Sequence, residues 1–296
     1  MNNLTLGRRN FIETTPIKAG GGGDKMYRAK TKDGEDFLLR LCDLKMYGQK
    51  KAEFELMKKL SVLDIGMPQP IDFGIYDDTV YILTSWINGV GLKTVFRSLP
   101  TAAQYLLGVK AGENLRKIHS LTVSEDKSWE DVFEPDIEKV IRRYKHCNLD
   151  VKGIEQIFLF IEKNKSLLKN RPQCYLHGDY ADYNMMLEEK KLMIIDFSGV
   201  YQIGDPWHDF YRIIERSSSS WFATGVVKGY FGSAPPKTFW SLSTLYMCID
   251  ALRLTTLRHT HAPHRLELSM NRIANILKWH SDMKVDQPKW YQCDYL

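Results

Sequence analysis

The sequence predicts an α+β chain in two lobes, the first an antiparallel sheet with one helix, the second mainly helical. Three observations predict it. MYRAKT, the Gly-containing turn KDGED and FLLRL read as a hairpin of two strands. IDFGIYDDTVYILTSWI reads as a second strand pair around an Asp-Asp turn. From Thr101 onward apolar positions such as Leu106, Val109, Leu115 and Ile118 recur with the period of a helix.

Between the strand pairs a helix is predicted over Met46 to Leu60. Phe54, Met57 and Leu60 form its apolar face, and Lys50, Lys51, Lys58 and Lys59 lie outside. Pro68 and Pro70 end that pattern. The texture changes again at Asn88 to Gly91, which places the lobe boundary so that residues 1–88 form a nucleotide-binding lobe and 89–296 a catalytic and substrate-binding lobe. Within the helical half, CYLHGDYADYNMMLEEKKLMIIDF departs from the period. It reads as short strands that hold a polar loop in fixed geometry, the usual setting for chemistry.

Composition narrows the function classes. With 44% hydrophobic and 26% charged residues the 296-residue chain can bury a full core, so disorder is not the default reading. Its five cysteines are scattered without a C-x-x-C pair and read as reduced thiols. The N-terminus lacks an apolar signal region, and no stretch approaches the ~20 apolar residues of a membrane span, so a cytoplasmic, unanchored protein is expected. A net charge of +5, dispersed and without a basic stripe, argues against nucleic acid as a partner. The excess sits in residues 210–296, with 11 Lys/Arg against 6 Asp/Glu.

Three pieces carry chemistry: His177-Gly178-Asp179 with Asn184 five positions after the Asp, Asp196 in IIDF, and Gly204-Asp205-Pro206 with Asp209. Phosphoryl transfer needs a carboxylate facing the attacking hydroxyl and oxygen ligands for Mg²⁺ on the triphosphate. Asp179 suits the first role; Asn184 and Asp196 suit the second.

HGDYADYN followed by IIDFSGVYQIGDPWHD resembles the aminoglycoside phosphotransferase family, the antibiotic-kinase relatives of protein kinases. The resemblance extends over about residues 15–255 and implies a protein-kinase-like two-lobe fold. It also implies ATP or GTP as phosphoryl donor, Mg²⁺ as cofactor and a small hydroxyl-bearing acceptor. Residue by residue, it places the glycine run with Gly21, Gly22 and Gly23 over the phosphates. Arg40 stands where many relatives carry the phosphate-binding lysine, with Glu53 as its helix partner and Glu55 as the alternative. Nucleotide base contacts fall to the backbone of Thr84 to Ile87, including Ser85 and Ile87. Asp205 and Asp209 brace the metal loop, Asp182 shapes the catalytic loop, and His177 supports it.

His119 reads as a packed or capping histidine, and His259, His261 and His264 as a solvated loop rather than a metal site. A protein kinase is disfavoured by HGD in place of H-R-D and by the missing A-P-E segment. A silent nucleotide-binding module is disfavoured because base and metal ligands are all present. The resemblance makes the acceptor an aminoglycoside, and the chain an antibiotic-resistance kinase. The basic, aromatic-rich stretch 210–296 argues for weaker polycation binding, although Glu215, Asp250 and Glu267 are available to line the cleft. The alternative acceptor is a less cationic hydroxyl compound, such as a macrolide-like antibiotic, choline or homoserine.

Overall fold

The computed structural model of the chain describes residues 4–17, 23–123, 125–197, 199, 201–217 and 221–291, the side chains of 215–217 excepted. Contacts group the chain into two compact units, Met1–Val95 with Tyr183–Ser198, and Phe96–Asp182 with Gly199–Leu296. Of the expected glycine run, Gly21 and Gly22 lie outside the described residues; Gly23 is exposed, with φ +71°.

The first unit holds a six-stranded antiparallel sheet in the order β1-β2-β3-β4-β6-β5. Its strands are β1 (Leu4–Leu6), β2 (Arg9–Ile17), β3 (Lys25–Thr31), β4 (Asp36–Asp43), β5 (Pro70–Tyr76) and β6 (Thr79–Ser85). β3 and β4 are the expected hairpin, and β5 and β6 the second pair. That pair turns through Asp77 and Asp78, both at positive φ (42° and 57°), the primed turn that matches strand twist and that Asp tolerates. Pro70 starts the edge strand, where its missing N–H costs no ladder bond. Side chains alternate along β4, so Phe37, Leu39 and Leu41 join Leu4, Leu6, Phe11, Ala29 and Leu83 in the core while Arg40 points to the opposite face.

Helix α1 (Tyr47–Leu60) follows a 3-10 turn over Leu44–Met46 and packs Phe54 on Phe73, ring centroids 5.6 Å apart. Lys50 corrects the expected outward face: its side chain is buried, whereas Lys51, Lys58 and Lys59 are exposed. A three-stranded sheet completes the unit, with β9 (Met185–Glu188) between β7 (Val90–Gly91) and β10 (Lys191–Ile194); α2 (Leu92–Val95) follows β7. The β9–β10 hairpin turns at Glu189 and Lys190, both at positive φ.

In the second unit a short strand pair, β8 (Cys174–Tyr175) with β11 (Ile203–Gly204), is set among helices α3 (Thr101–His119), α4 (Trp129–His146), α5 (Ile154–Asn164), α6 (Phe210–Ser217), α7 (Trp221–Phe231), α8 (Lys237–His261) and α9 (Leu266–Trp279). Ser128 and Asp131 form a capping box that starts α4. α3 and α7 cross closely because Gly108 and Gly112 face Gly225 and Gly229; a Cβ at any of the four would strike the opposing backbone. Of the aromatic residues in 210–296, Phe222, Phe239, Trp240 and Tyr246 are buried in the core. No helix among the described residues is long and apolar enough to cross a membrane.

His208 sits inside this core against Trp129, Phe133, Tyr201, Tyr211 and Tyr246, its ring centroid 4.9 to 5.6 Å from theirs. Burial pulls its pKa down to about 4, against the opposing pull of Asp209. A histidine with a folded pKa below its unfolded value of about 6.5 stabilises fully above pH 6.5, and that contribution is lost as pH falls toward 4. His208→Phe should therefore lose about 2 kcal/mol less stability than the wild type between pH 7.5 and pH 5, as read by urea midpoints. Equal losses would mean that the ring takes up its proton in the fold as readily as in the unfolded chain.

Candidate active site

β8 delivers the chain to the His177-Gly178-Asp179 loop, and the loop is seated by a buried carboxylate. Asp209, fully buried, accepts the N–H of His177 at 2.8 Å and of Gly178 at 2.7 Å, and its Oδ2 lies 3.0 Å from His119 Nε2. Burial pushes its carboxyl up, but the hydrogen bond and charge of His119 outweigh this and hold it below the usual carboxylate range. His119 is thus buried between Asp209 and the Tyr230 hydroxyl, 3.0 Å from Nδ1. Gly178 has φ +79°, and its Cα side packs so closely on Gly199 and the Tyr201 carbonyl that no Cβ fits. Tyr180, fully buried, donates its hydroxyl to the Ala111 carbonyl at 2.6 Å and anchors the far side of the loop.

Asp209 thus seats this loop, and Asp205 braces the helical core. Asp205 receives a fork from Arg171 (2.7 and 3.0 Å), the Tyr246 hydroxyl (2.6 Å) and the Trp207 N–H (2.9 Å). Arg171 stacks on Trp207, 4.0 Å from the ring centroid.

Asp179 is itself paired. Arg212 of α6 places Nε 3.2 Å from its Oδ1, and the carboxylate is 30% exposed. Arg212 also lies 3.7 Å from Asp250, which Arg272 holds at 2.7 Å, while Arg253 pairs with Asp136, which also accepts the Tyr201 hydroxyl at 2.8 Å. Asp250 is buried, and of the three carboxylates expected to be available for an acceptor, Glu267 is exposed on α9 and the side chain of Glu215 lies outside the described residues.

In the first unit, the β9–β10 hairpin brings Asn184 and Asp196 to one end. Met185 pairs with Ile194, and the ladder runs one step further through the Ile195 N–H to the Asn184 carbonyl at 3.0 Å. Asp196 is exposed with φ +64°, a left-handed conformation that costs a non-glycine residue about 1–3 kcal/mol. An amide oxygen and a carboxylate on adjacent ladder ends are hard donors that suit Mg²⁺. No group of three or more His, Cys, Asp and Glu able to hold a metal alone occurs among the described residues, including His259, His261 and His264. The donor set therefore fits an ion that completes its shell with phosphate oxygens and water.

The same unit holds Arg40 of β4 against Glu53 of α1, while Glu55 is exposed and pairs with Lys58. Lys50, expected on the outer face, and Asp24, which the sequence did not single out, complete the group. Asp24 Oδ2 lies 2.8 Å from Arg40 Nη2 and 2.6 Å from Lys50 Nζ, and Lys50 is 3.4 Å from Glu53. The spacing Lys50 to Glu53, three residues on one helix, was the available signal. Ser85 fixes the connector: its N–H donates to the Gln69 carbonyl at 2.9 Å and its hydroxyl accepts the Gln69 N–H at 2.8 Å. Ile87 follows, buried.

The family model described as a phosphotransferase enzyme family, APH, matches residues 13–235. No curated protein sequence matches the chain significantly. Among solved structures, a thermostable mutant of aminoglycoside phosphotransferase APH(4)-Ia in its apo form is similar at TM-score 0.67 and 12% identity, over 90% of this chain and 94% of that one. A choline/ethanolamine kinase family protein from Mesorhizobium loti is similar at TM-score 0.64 and 14% identity, over 90% of both chains. APH(2'')-IIa in complex with gentamicin is similar at TM-score 0.61 and 19% identity, over 93% of this chain and 94% of that one. Identities this low show the protein-kinase-like fold, and the family match over well over half of the sequence shows the membership: the chain belongs to the phosphotransferase enzyme family.

Proposed function

We propose that the chain moves the γ-phosphoryl group of ATP, bound with Mg²⁺, to a hydroxyl of a small molecule less cationic than an aminoglycoside. The donor assignment is supported by similar structures that carry ADP or AMP-PNP with hygromycin B, at 14 to 15% identity. In this reading residues 1–88 bind nucleotide and residues 89–296 carry catalysis and acceptor. The Ser85 to Ile87 backbone meets the base, Gly23 with its glycine neighbours covers the phosphates, and Arg40, steadied by Glu53, holds them. Asn184 and Asp196 would hold the metal, which would supply neutralisation of phosphate charge. Asp179 orients the acceptor O–H and takes its proton while that oxygen bonds the γ-phosphorus, the γ-phosphorus–oxygen bond to ADP breaks and ADP leaves with its electron pair.

The observation that carries the acceptor reading is the pairing of carboxylates in the second unit: Asp179 with Arg212, Asp250 with Arg272, Asp136 with Arg253. A polycation needs carboxylates free to meet its ammonium groups, and here each already has a guanidinium against it. The competing reading, an aminoglycoside acceptor, is supported by the neighbours solved with hygromycin B or gentamicin; choline-type acceptors are supported by the choline/ethanolamine kinase family neighbour. ADP release measured over aminoglycosides, a macrolide, choline, homoserine and neutral polyols separates them. The proposal expects the best acceptor outside the aminoglycosides; turnover of several aminoglycosides above about 10⁵ M⁻¹s⁻¹ in kcat/KM would contradict it.

Arg40→Ala should raise the KM for ATP by more than about tenfold and leave the KM for the acceptor within about twofold, since in this reading its guanidinium meets the phosphates and not the acceptor. An unchanged ATP KM would move the phosphate contact away from β4.

A further inference from the structure

Arg40, Lys50, Glu53 and Asp24 form one buried charge group of two cations and two carboxylates. The side chains of Arg40 and Lys50 are 13% and 6% exposed, those of Glu53 and Asp24 1% and 15%. Asp24 differs from the other three in where it comes from. Glu53 and Lys50 are fixed on α1 and Arg40 on β4, whereas Asp24 belongs to no strand or helix and directly follows Gly23 at the entry to β3. One of its oxygens, Oδ2, bridges the two cations, 2.8 Å from Arg40 and 2.6 Å from Lys50. A single anionic oxygen shared by a guanidinium and an ammonium is the arrangement a phosphate oxygen makes with the same pair. Burial works against both cations, yet Glu53 and Asp24 outweigh it and hold Arg40 and Lys50 above their ordinary pKa values, so both remain charged.

We propose that Lys50 is a second phosphate-binding residue, and that Asp24 occupies the phosphate position on Arg40 and Lys50 until the nucleotide displaces it. This rests on the nucleotide reading given above. With Asp24 in place the four groups are neutral; once its carboxylate swings away, Arg40 and Lys50 face the triphosphate against Glu53 alone, with one net positive charge. Glu53 keeps both cations aimed, since it touches both. The exchange makes nucleotide affinity a competition, in which the observed dissociation constant is the intrinsic one divided by the fraction of molecules whose Asp24 has left the site.

Calorimetric titration of the full chain with ATP, inorganic tripolyphosphate and adenosine tests this directly. Asp24→Asn, which keeps the shape and removes the charge, should tighten ATP and tripolyphosphate by about 5- to 10-fold and leave adenosine unchanged. Lys50→Met should weaken ATP and tripolyphosphate by more than about tenfold, again without effect on adenosine, and Lys50→Arg should restore most of the loss. Unchanged or weaker ATP binding by folded Asp24→Asn, or unchanged binding by Lys50→Met, would overturn the proposal; Asp24→Asn decides it alone if Lys50→Met does not fold. A wild-type chain that binds neither ATP nor adenosine would instead overturn the nucleotide reading beneath it.

Discussion

Asp196→Ala should abolish Mg²⁺-dependent phosphoryl transfer, with a loss of more than about 10³-fold in kcat, while the protein stays folded. The proposed site has one carboxylate and one amide oxygen from the protein, so removing the carboxylate leaves a divalent ion without a charged ligand. The backbone sharpens the test. Asp196 sits at φ +64°, where alanine carries the same strain and glycine does not. Asp196→Gly should thus be as inactive as Asp196→Ala yet more stable by about 1 kcal/mol in urea denaturation. Retained activity in either variant, or wild-type activity in excess EDTA, would show that the metal is held elsewhere.

Asp179→Ala should lower kcat by about 10² to 10⁴ and leave ATP binding within about twofold, because the base acts only on the acceptor. Arg212 complicates the variant in a useful way. Removing Asp179 takes one carboxylate from this guanidinium, which also donates to the Tyr211 hydroxyl at 3.1 Å and lies 3.7 Å from Asp250. Some of the lost activity therefore reflects a cation left beside the acceptor hydroxyl. Asp179→Asn, which accepts from Arg212 but takes up no proton, should be inactive to the same degree. Near-normal turnover by folded Asp179→Asn would remove this residue from the proton transfer.

Much of the fold was legible because its hairpins carry their own turn chemistry: Asp77-Asp78 between apolar runs, and the Gly-containing turn before β4. β1 and β2 were not legible. The burial of β2 does not alternate, and its register with β3 shifts between Phe11 and Glu13, so the period that announces a strand is broken. At the site, His177 to Asp179, Asn184 and Asp196 stand out because their spacing is dictated within one loop and one hairpin. The groups that control them come from afar. Asp209 reaches back more than thirty residues to seat the loop, and Arg212 reaches Asp179 from α6. Lys50 was misplaced for a different reason: a helix wheel assigns faces by hydrophobicity, and a buried lysine held by two carboxylates violates that rule without leaving a trace in the period.

The central claim is that Asp179 directs the γ-phosphoryl group of ATP to a small-molecule hydroxyl. Incubation with γ-labelled ATP, Mg²⁺ and a mixture of hydroxyl compounds, with casein as a generic protein acceptor, tests it most directly. The account predicts label in a small-molecule phosphate ester with the wild type, none in casein, and loss of the ester with Asp179→Asn. Label in casein, or the same ester formed equally well by Asp179→Asn, would contradict it.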